Sequence, residues 1–160
     1  MDFNRILYLM TTLHLSTEIN AKIETCFDVA RDIDIHILST KNTNEKVIDG
    51  RTKGLCELGD TITWQAKHLG IKQNFTVKII QFNQPFYFED TMLNGAFRTM
   101  QHKHYFEEKN GITTMKDKME YSVPFGFIGK IFDAVYLKKY MHQFLLTRNE
   151  VLKSVAENKK

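Results

Sequence analysis

The chain has 160 residues, 42% hydrophobic and 26% charged, and its 22 basic and 19 acidic side chains leave a formal net charge of +3. That length suits one domain, expected over 1–160, which can bury roughly 70% of its unfolded surface without help from disulfides or metal. So small and dispersed a positive excess argues against nucleic acid as a partner, and no segment reaches the ~18 apolar residues of an integral membrane span.

Residues 1–9 read as an N-terminal extension and residues 156–160 as a frayed tail. No signal-peptide pattern precedes the first strand. Cys26 and Cys56 lack a CxxC spacing, so they read as buried thiols in a reducing compartment, and the expected location is cytoplasmic.

Tyr8 to Ile19 is rich in Thr, Leu and Ile and partly alternates, as a half-buried strand does. Asn20 is placed to cap a short helix whose Ile23, Phe27 and Ala30 share one face. A second short helix is expected around Asp32 to Leu38. Six strand candidates follow: Glu45 to Ile48, Thr61 to Leu69, Ile71 to Phe82, Phe86 to Leu93, Ala96 to Glu107 and Ile112 to Val123. Turn signals at Asp49-Gly50, Gly70, Asn83 to Pro85, Asn94-Gly95 and Asn110-Gly111 join them. Such short connections imply an antiparallel meander. Ala134, Leu137, Met141, Leu145, Arg148, Leu152 and Val155 then recur at threes and fours, predicting one long helix over Ile128 to Val155.

The expected class is α+β, a helix-grip arrangement. A seven-stranded curved antiparallel sheet, with two short helices after strand 1, packs one long C-terminal helix across its concave face. A sheet curled around a single helix leaves space between them.

Period-two alternation assigns the inner face. On the last strand Met115, Met119, Tyr121 and Val123 point inward, and Asp117 shares their face. A two-residue turn at Asn110-Gly111 sets Phe106 opposite Met115, His104 opposite Asp117 and His102 opposite Met119. Met100 joins that inner row. On the preceding strand Phe86, Phe88 and Met92 form the apolar set, with Asp90 among them. A three-residue loop Leu93-Asn94-Gly95, glycine left-handed, turns this set inward, whereas a two-residue turn would turn it out.

The run Gly95-Ala96-Phe97, Met100, His102, His104, Phe106, Gly111, Asp117, Tyr121, Pro124, Gly126, Phe144 and Arg148 resembles the ligand-binding SRPBCC family of the START/pollen-allergen superfamily, which also holds polyketide cyclase/dehydrase-like domains. The resemblance runs from about Thr11 to Val155. It implies the helix-grip fold and a hydrophobic cavity. Ala96 stands where that family usually has proline, and Met100 where it usually has tryptophan, which softens the pocket and leaves the ligand open. No catalytic residue is carried over.

His102, His104, Asp117 and Asp90 make one polar cluster on an otherwise apolar inner face. Three readings stand: a hydrogen-bonded core network, recognition of a polar group on a bound ligand, and catalysis or metal binding. Catalytic candidates are His104 and Asp117, a carboxylate raising the basicity of an imidazole. Two imidazoles and two carboxylates can in principle hold zinc or iron, but opposed His and Asp are satisfied without metal. Neither metal nor cofactor is expected.

Trp64, Tyr121, Tyr136 and Tyr140 join Phe88, Met92, Met100, Met115 and Met119 as candidate ligand-lining side chains, although core packing explains each one singly. His14, His36, His68 and His142 read as surface or loop-facing. Arg148 reads as an anchor between helix and sheet. The partner expected is a small hydrophobic molecule, lipid-like or polycyclic. The alternatives are a cyclase/dehydratase-type enzyme, or a chaperone-activator-type interaction domain with a small cavity and an exposed apolar patch.

Overall fold

The computed structural model describes residues 10–159. The expected N-terminal extension and the strand start at Tyr8 lie outside the described residues. Seven strands, β1 (Thr11–Ile19), β2 (Lys46–Gly50), β3 (Thr61–His68), β4 (Ile71–Asn83), β5 (Tyr87–Asn94), β6 (Thr99–Lys109) and β7 (Ile112–Ser122), form one curved sheet. The order is β1-β7-β6-β5-β4-β3-β2, every pairing antiparallel. Two short helices, α1 (Ile23–Ala30) and α2 (Ile33–Ser39), carry the chain from β1 at one edge to β2 at the other.

Asn20 does not cap α1. The N-cap is Lys22, without a side-chain bond, and the Ile23 amide donates instead to Glu108 of β6 at 2.8 Å. A carboxylate from the sheet thus satisfies an amide that the helix start leaves open. Helix α2 carries its own cap: the Asp32 side chain accepts from the amides of Asp34 and Ile35.

The β6–β7 turn follows the expected register. Asn110 and Gly111 both take positive φ, 54° and 77°, and pair Lys109 with Ile112 and His104 with Asp117. The β5–β6 connection differs. Thr91 pairs with Gln101 and Asp90 with His102, so the loop is Gly95–Arg98, further along than Leu93-Asn94-Gly95. The shift is an even number of residues and leaves Asp90 and Phe88 on the inner face. Gly95 is not left-handed. It is small because a Cβ there would lie 2.5 Å from the Phe75 ring and 2.8 Å from Met92 Sδ. Phe86, expected inward, sits in the preceding turn and is exposed.

The C-terminal helix starts earlier than the stripe predicts and contains a fault. Helix α3 (Gly126–Phe132) passes through a π turn (Asp133–Leu137) into α4 (Lys138–Asn158). Asp133 and Lys138 both keep right-handed helical angles, so the three segments are one continuous helix. Gly129 lets the first turn touch the chain before it, since a Cβ there would meet the Pro124 carbonyl oxygen at 1.9 Å. The tail is not frayed at residue 156: Ala156 is fully buried and α4 runs to Asn158.

Two apolar clusters hold the fold. One gathers α1 against the sheet and the end of α4, where Phe27 is ringed edge-on by Phe82, Phe88 and Phe106 at 5.3–5.5 Å. Burying a ring of this size contributes roughly 1.5–3 kcal/mol. The other lines the space under the middle of the helix and includes Leu13, Ile62, Trp64, Met100, Met119, Met141 and Leu145. Cys26 and Cys56 are free and buried. Among the described residues, no helix is long and apolar enough to cross a membrane.

Candidate ligand-binding cavity

Between the sheet and the helix lies a cavity of about 480 Å³. Alternation on each strand supplies its wall: Ile62, Trp64 and Ala66 from β3, Val77 and Ile79 from β4, Phe88 from β5, Met100 from β6 and Met119 from β7. The helix closes it with Leu137, Met141 and Leu145. Leu69, Ile71, Phe125 and Phe132 line the cavity yet stand 41%, 63%, 83% and 45% exposed, which identifies them as its rim.

One polar cluster sits on β5, β6 and β7. Asp117 is 1% exposed and accepts three contacts. His102 Nε2 lies 2.9 Å from Oδ1, His104 Nδ1 lies 2.9 Å from the same oxygen but off the line of a hydrogen bond, and Asn149 Nδ2 donates to Oδ2 at 2.6 Å. His104 Nε2 faces Asp90 Oδ2 at 3.4 Å. Arg148 reaches within 3.9 Å of Asp117 and donates to the Ala30 carbonyl at 3.3 Å, so it does anchor the helix.

Burial alone would raise the Asp117 carboxyl, but the His102 and His104 contacts outweigh it and hold it well below the usual range. Burial alone would likewise lower the His104 imidazole, yet Asp117 and then Asp90 hold it above its usual value. Burial, and next the charge of His104, push His102 down. The surroundings therefore favour charged carboxylates at Asp90 and Asp117, the protonated form of His104 and the neutral form of His102, with the Arg148 guanidinium nearby. An ionised Asp117 can only accept, so His102 Nε2 carries the proton and Nδ1 the lone pair. Asp90, His102 and His104 each offer one donor atom within 4.8 Å of the others, a grouping that can hold a metal ion.

A second polar cluster escaped the sequence. His36 and His68, expected at the surface or in loops, both line the cavity and meet the buried Glu45. His36 Nε2 is 2.7 Å from Glu45 Oε2, and His68 Nε2 is 3.6 Å from Oε1. Thr43 donates to Glu45 at 3.1 Å. His68 Nδ1 bonds the Tyr140 hydroxyl at 2.9 Å, and His36 stacks on Trp64 with ring centres 4.2 Å apart. Burial would raise the Glu45 carboxyl, but His36 and His68 outweigh it and hold it at about 2. His36 comes from α2, Glu45 from the residue before β2 and His68 from the end of β3, so no regular spacing announces them. His14 and His142 are exposed, as expected.

Of the side chains singled out from sequence, Trp64, Phe88, Asp90, Met100, His102, His104, Met119 and Tyr140 line the cavity. The other five do not. Asp117 lies behind the two imidazoles, out of its reach. Met115 is fully buried in the cluster around Phe27. Tyr121 is fully buried and donates to Asp133 at 2.6 Å, pinning the π turn, with Thr11 bonded to the same carboxylate. Met92 packs over Gly95 beside Phe75. Tyr136 is 48% exposed and stacks between Phe132 and Tyr140.

No protein-family model and no curated protein matches the chain in sequence. Solved structures do match in shape. A protein from Thermus thermophilus superposes with a TM-score of 0.72 at 14% identity, over 91% of this chain and 99% of that one. A START superfamily protein from Mycobacterium smegmatis gives 0.71 at 12% identity, over 93% and 99%. Major latex-like protein 151 from Panax ginseng gives 0.69 at 12% identity, over 92% and 98%. These likenesses show the helix-grip fold that the sequence resemblance implied.

Proposed function

We propose that the protein binds a small, largely apolar ligand, lipid-like or polycyclic, in the cavity between sheet and helix. The observation that carries this is the cavity itself. Protein interiors close their voids, and an apolar space left open lowers stability. A volume of about 480 Å³ lies in the ~300–1,000 Å³ range of small-molecule sites. A chaperone-activator role fits a small cavity better than this one.

The polar groups narrow the class. Among its lining side chains, His102, Asp90, Glu45 and Tyr140 carry acceptor atoms, and Arg31 and Arg148 carry guanidinium donors. An apolar molecule bearing hydroxyl groups, which both donate and accept, fits this mixture. Two buried free thiols suit a reducing compartment, and we place the protein in the cytoplasm.

One observation favours a second reading, acid–base chemistry. His102 is neutral, lines the cavity and has its proton held by Asp117, which suits a general base. The catalytic candidate then moves from His104, which is enclosed by its two carboxylates, to His102 with Asp90. Native mass spectrometry of protein purified from its own host tests the binding proposal, a co-purifying small molecule being the expected result. A protein that carries none, and that takes up neither an apolar dye nor long-chain alcohols, overturns it.

A further inference from the structure

The helix that closes the cavity begins as an apolar face turned to water. Phe125, Phe127, Ile128 and Val135 are 83%, 77%, 76% and 78% exposed, with Ile131 and Phe132 beside them at 49% and 45%. Exposed apolar patches of this density mark an interaction site. Across the cavity mouth the β3–β4 turn adds Leu69 and Ile71, at 41% and 63%.

Charge says what covers this face. Between Pro124 and Tyr140 the ionisable groups are Lys130, Lys138, Lys139, the two tyrosines and Asp133, and Asp133 is buried against Tyr121. Lys67 and Lys72, paired across the β3–β4 hairpin, are exposed beneath Leu69 and Ile71. Both sides of the mouth thus offer apolar tips with lysines behind them. Apolar side chains that enter the acyl boundary while lysines meet headgroups make up an interfacial anchor. A second copy would bring lysines against lysines.

We infer that this rim docks on an anionic lipid surface, with α3 and the β3–β4 turn lying in the interface and the cavity mouth opening toward the acyl chains. The inference rests on the ligand-binding reading, because it supplies the route by which an apolar ligand enters without crossing water.

The test uses the whole chain and vesicles of phosphatidylcholine, alone or mixed with phosphatidylserine, read by co-sedimentation. Binding is expected to the mixed vesicles only, and to fall as salt is raised. The double variant Phe127→Ser/Val135→Ser, altered at two exposed positions off the cavity wall, should lose roughly tenfold or more in vesicle affinity. Lys130→Gln/Lys138→Gln/Lys139→Gln should lose the preference for phosphatidylserine. Failure of the wild type to bind either vesicle, equal binding to both, or unchanged binding by the serine variant would overturn the inference. A dimer in sedimentation that the same serines abolish, without vesicle binding, would assign the face to a second copy and overturn it too. Dye uptake is measured alongside: uptake by a wild type that binds neither vesicle sinks the docking alone, uptake kept by the serine variant shows that its lost vesicle affinity is not unfolding, and no uptake by any form sinks the ligand site.

Discussion

His102 bonds diagonally across the sheet. Its register partner on β7 is Met119, yet its Nε2 reaches Asp117 Oδ1 at 2.9 Å, alongside the His104 ring that faces Asp117 directly. The two imidazoles lie with ring centres 3.9 Å apart, and one carboxylate serves both.

Asp117 should therefore be the most costly polar side chain to remove. Asp117→Leu leaves the His104 and Arg148 charges facing Asp90 alone, and breaking a buried pair in this way costs roughly 3–5 kcal/mol. Denaturant unfolding reads that loss. Combining it with His104→Leu should be non-additive by about 0.5–3 kcal/mol. Simple addition of the two single effects would show that the pair is not coupled.

Glu45 predicts how the protein meets acid. Its carboxyl ionises near 4.5 in the unfolded chain and at about 2 when folded. A depressed folded value contributes stability above pH 4.5 that disappears as pH falls from there toward 2. The contribution is on the order of 3 kcal/mol. Glu45→Gln should be less stable at neutral pH and lose less between pH 5 and about 2. Parallel pH–stability curves for the two proteins would count against the Glu45–histidine cluster.

Met119 and Tyr121 are two residues apart on one face of β7, and they should behave oppositely. Met119→Trp fills the cavity, so an apolar dye should no longer bind, at about 1–3 kcal/mol of stability. Tyr121→Phe removes the bond to Asp133 and should cost about 1–3 kcal/mol while dye still binds. Dye titrations of both variants check this, and retention of dye by Met119→Trp would move the site elsewhere.

Gly129→Ala tests the first turn of α3. The added methyl falls 1.9 Å from the Pro124 oxygen, so the helix must shift from the strand end. The expected cost is about 1–3 kcal/mol with altered dye uptake through the mouth. Wild-type stability and uptake would show that this contact is loose.

The sheet and the inner polar row were legible because both rest on parity. Asn110-Gly111 permits a two-residue turn, and alternation then puts His104 opposite Asp117. Even the misplaced β5–β6 loop kept Asp90 inside, since its error was an even number of residues. Depth was not legible. Alternation says that Met115, Met119 and Tyr121 face inward, but not that the first and last are sealed in packed clusters while the middle one faces open space. The Glu45, His36 and His68 cluster depends on how far the sheet curls, which no local pattern records. Asp133 had a signal, a lone acid in an apolar helical stretch, and it marked a buried anchor.

The π turn at Asp133–Leu137 holds one residue more than an α-helical turn spans, and each residue advances a helix by about 100°. It works as a phase shifter. Through it the chain presents Met141, Leu145 and Leu152 to the sheet and then, going backward, aims Phe127, Ile128 and Val135 away from it. Deleting a single residue there would rotate the whole first segment by about a quarter turn against the rest, swinging its apolar face away from the cavity mouth without changing one side chain in either half.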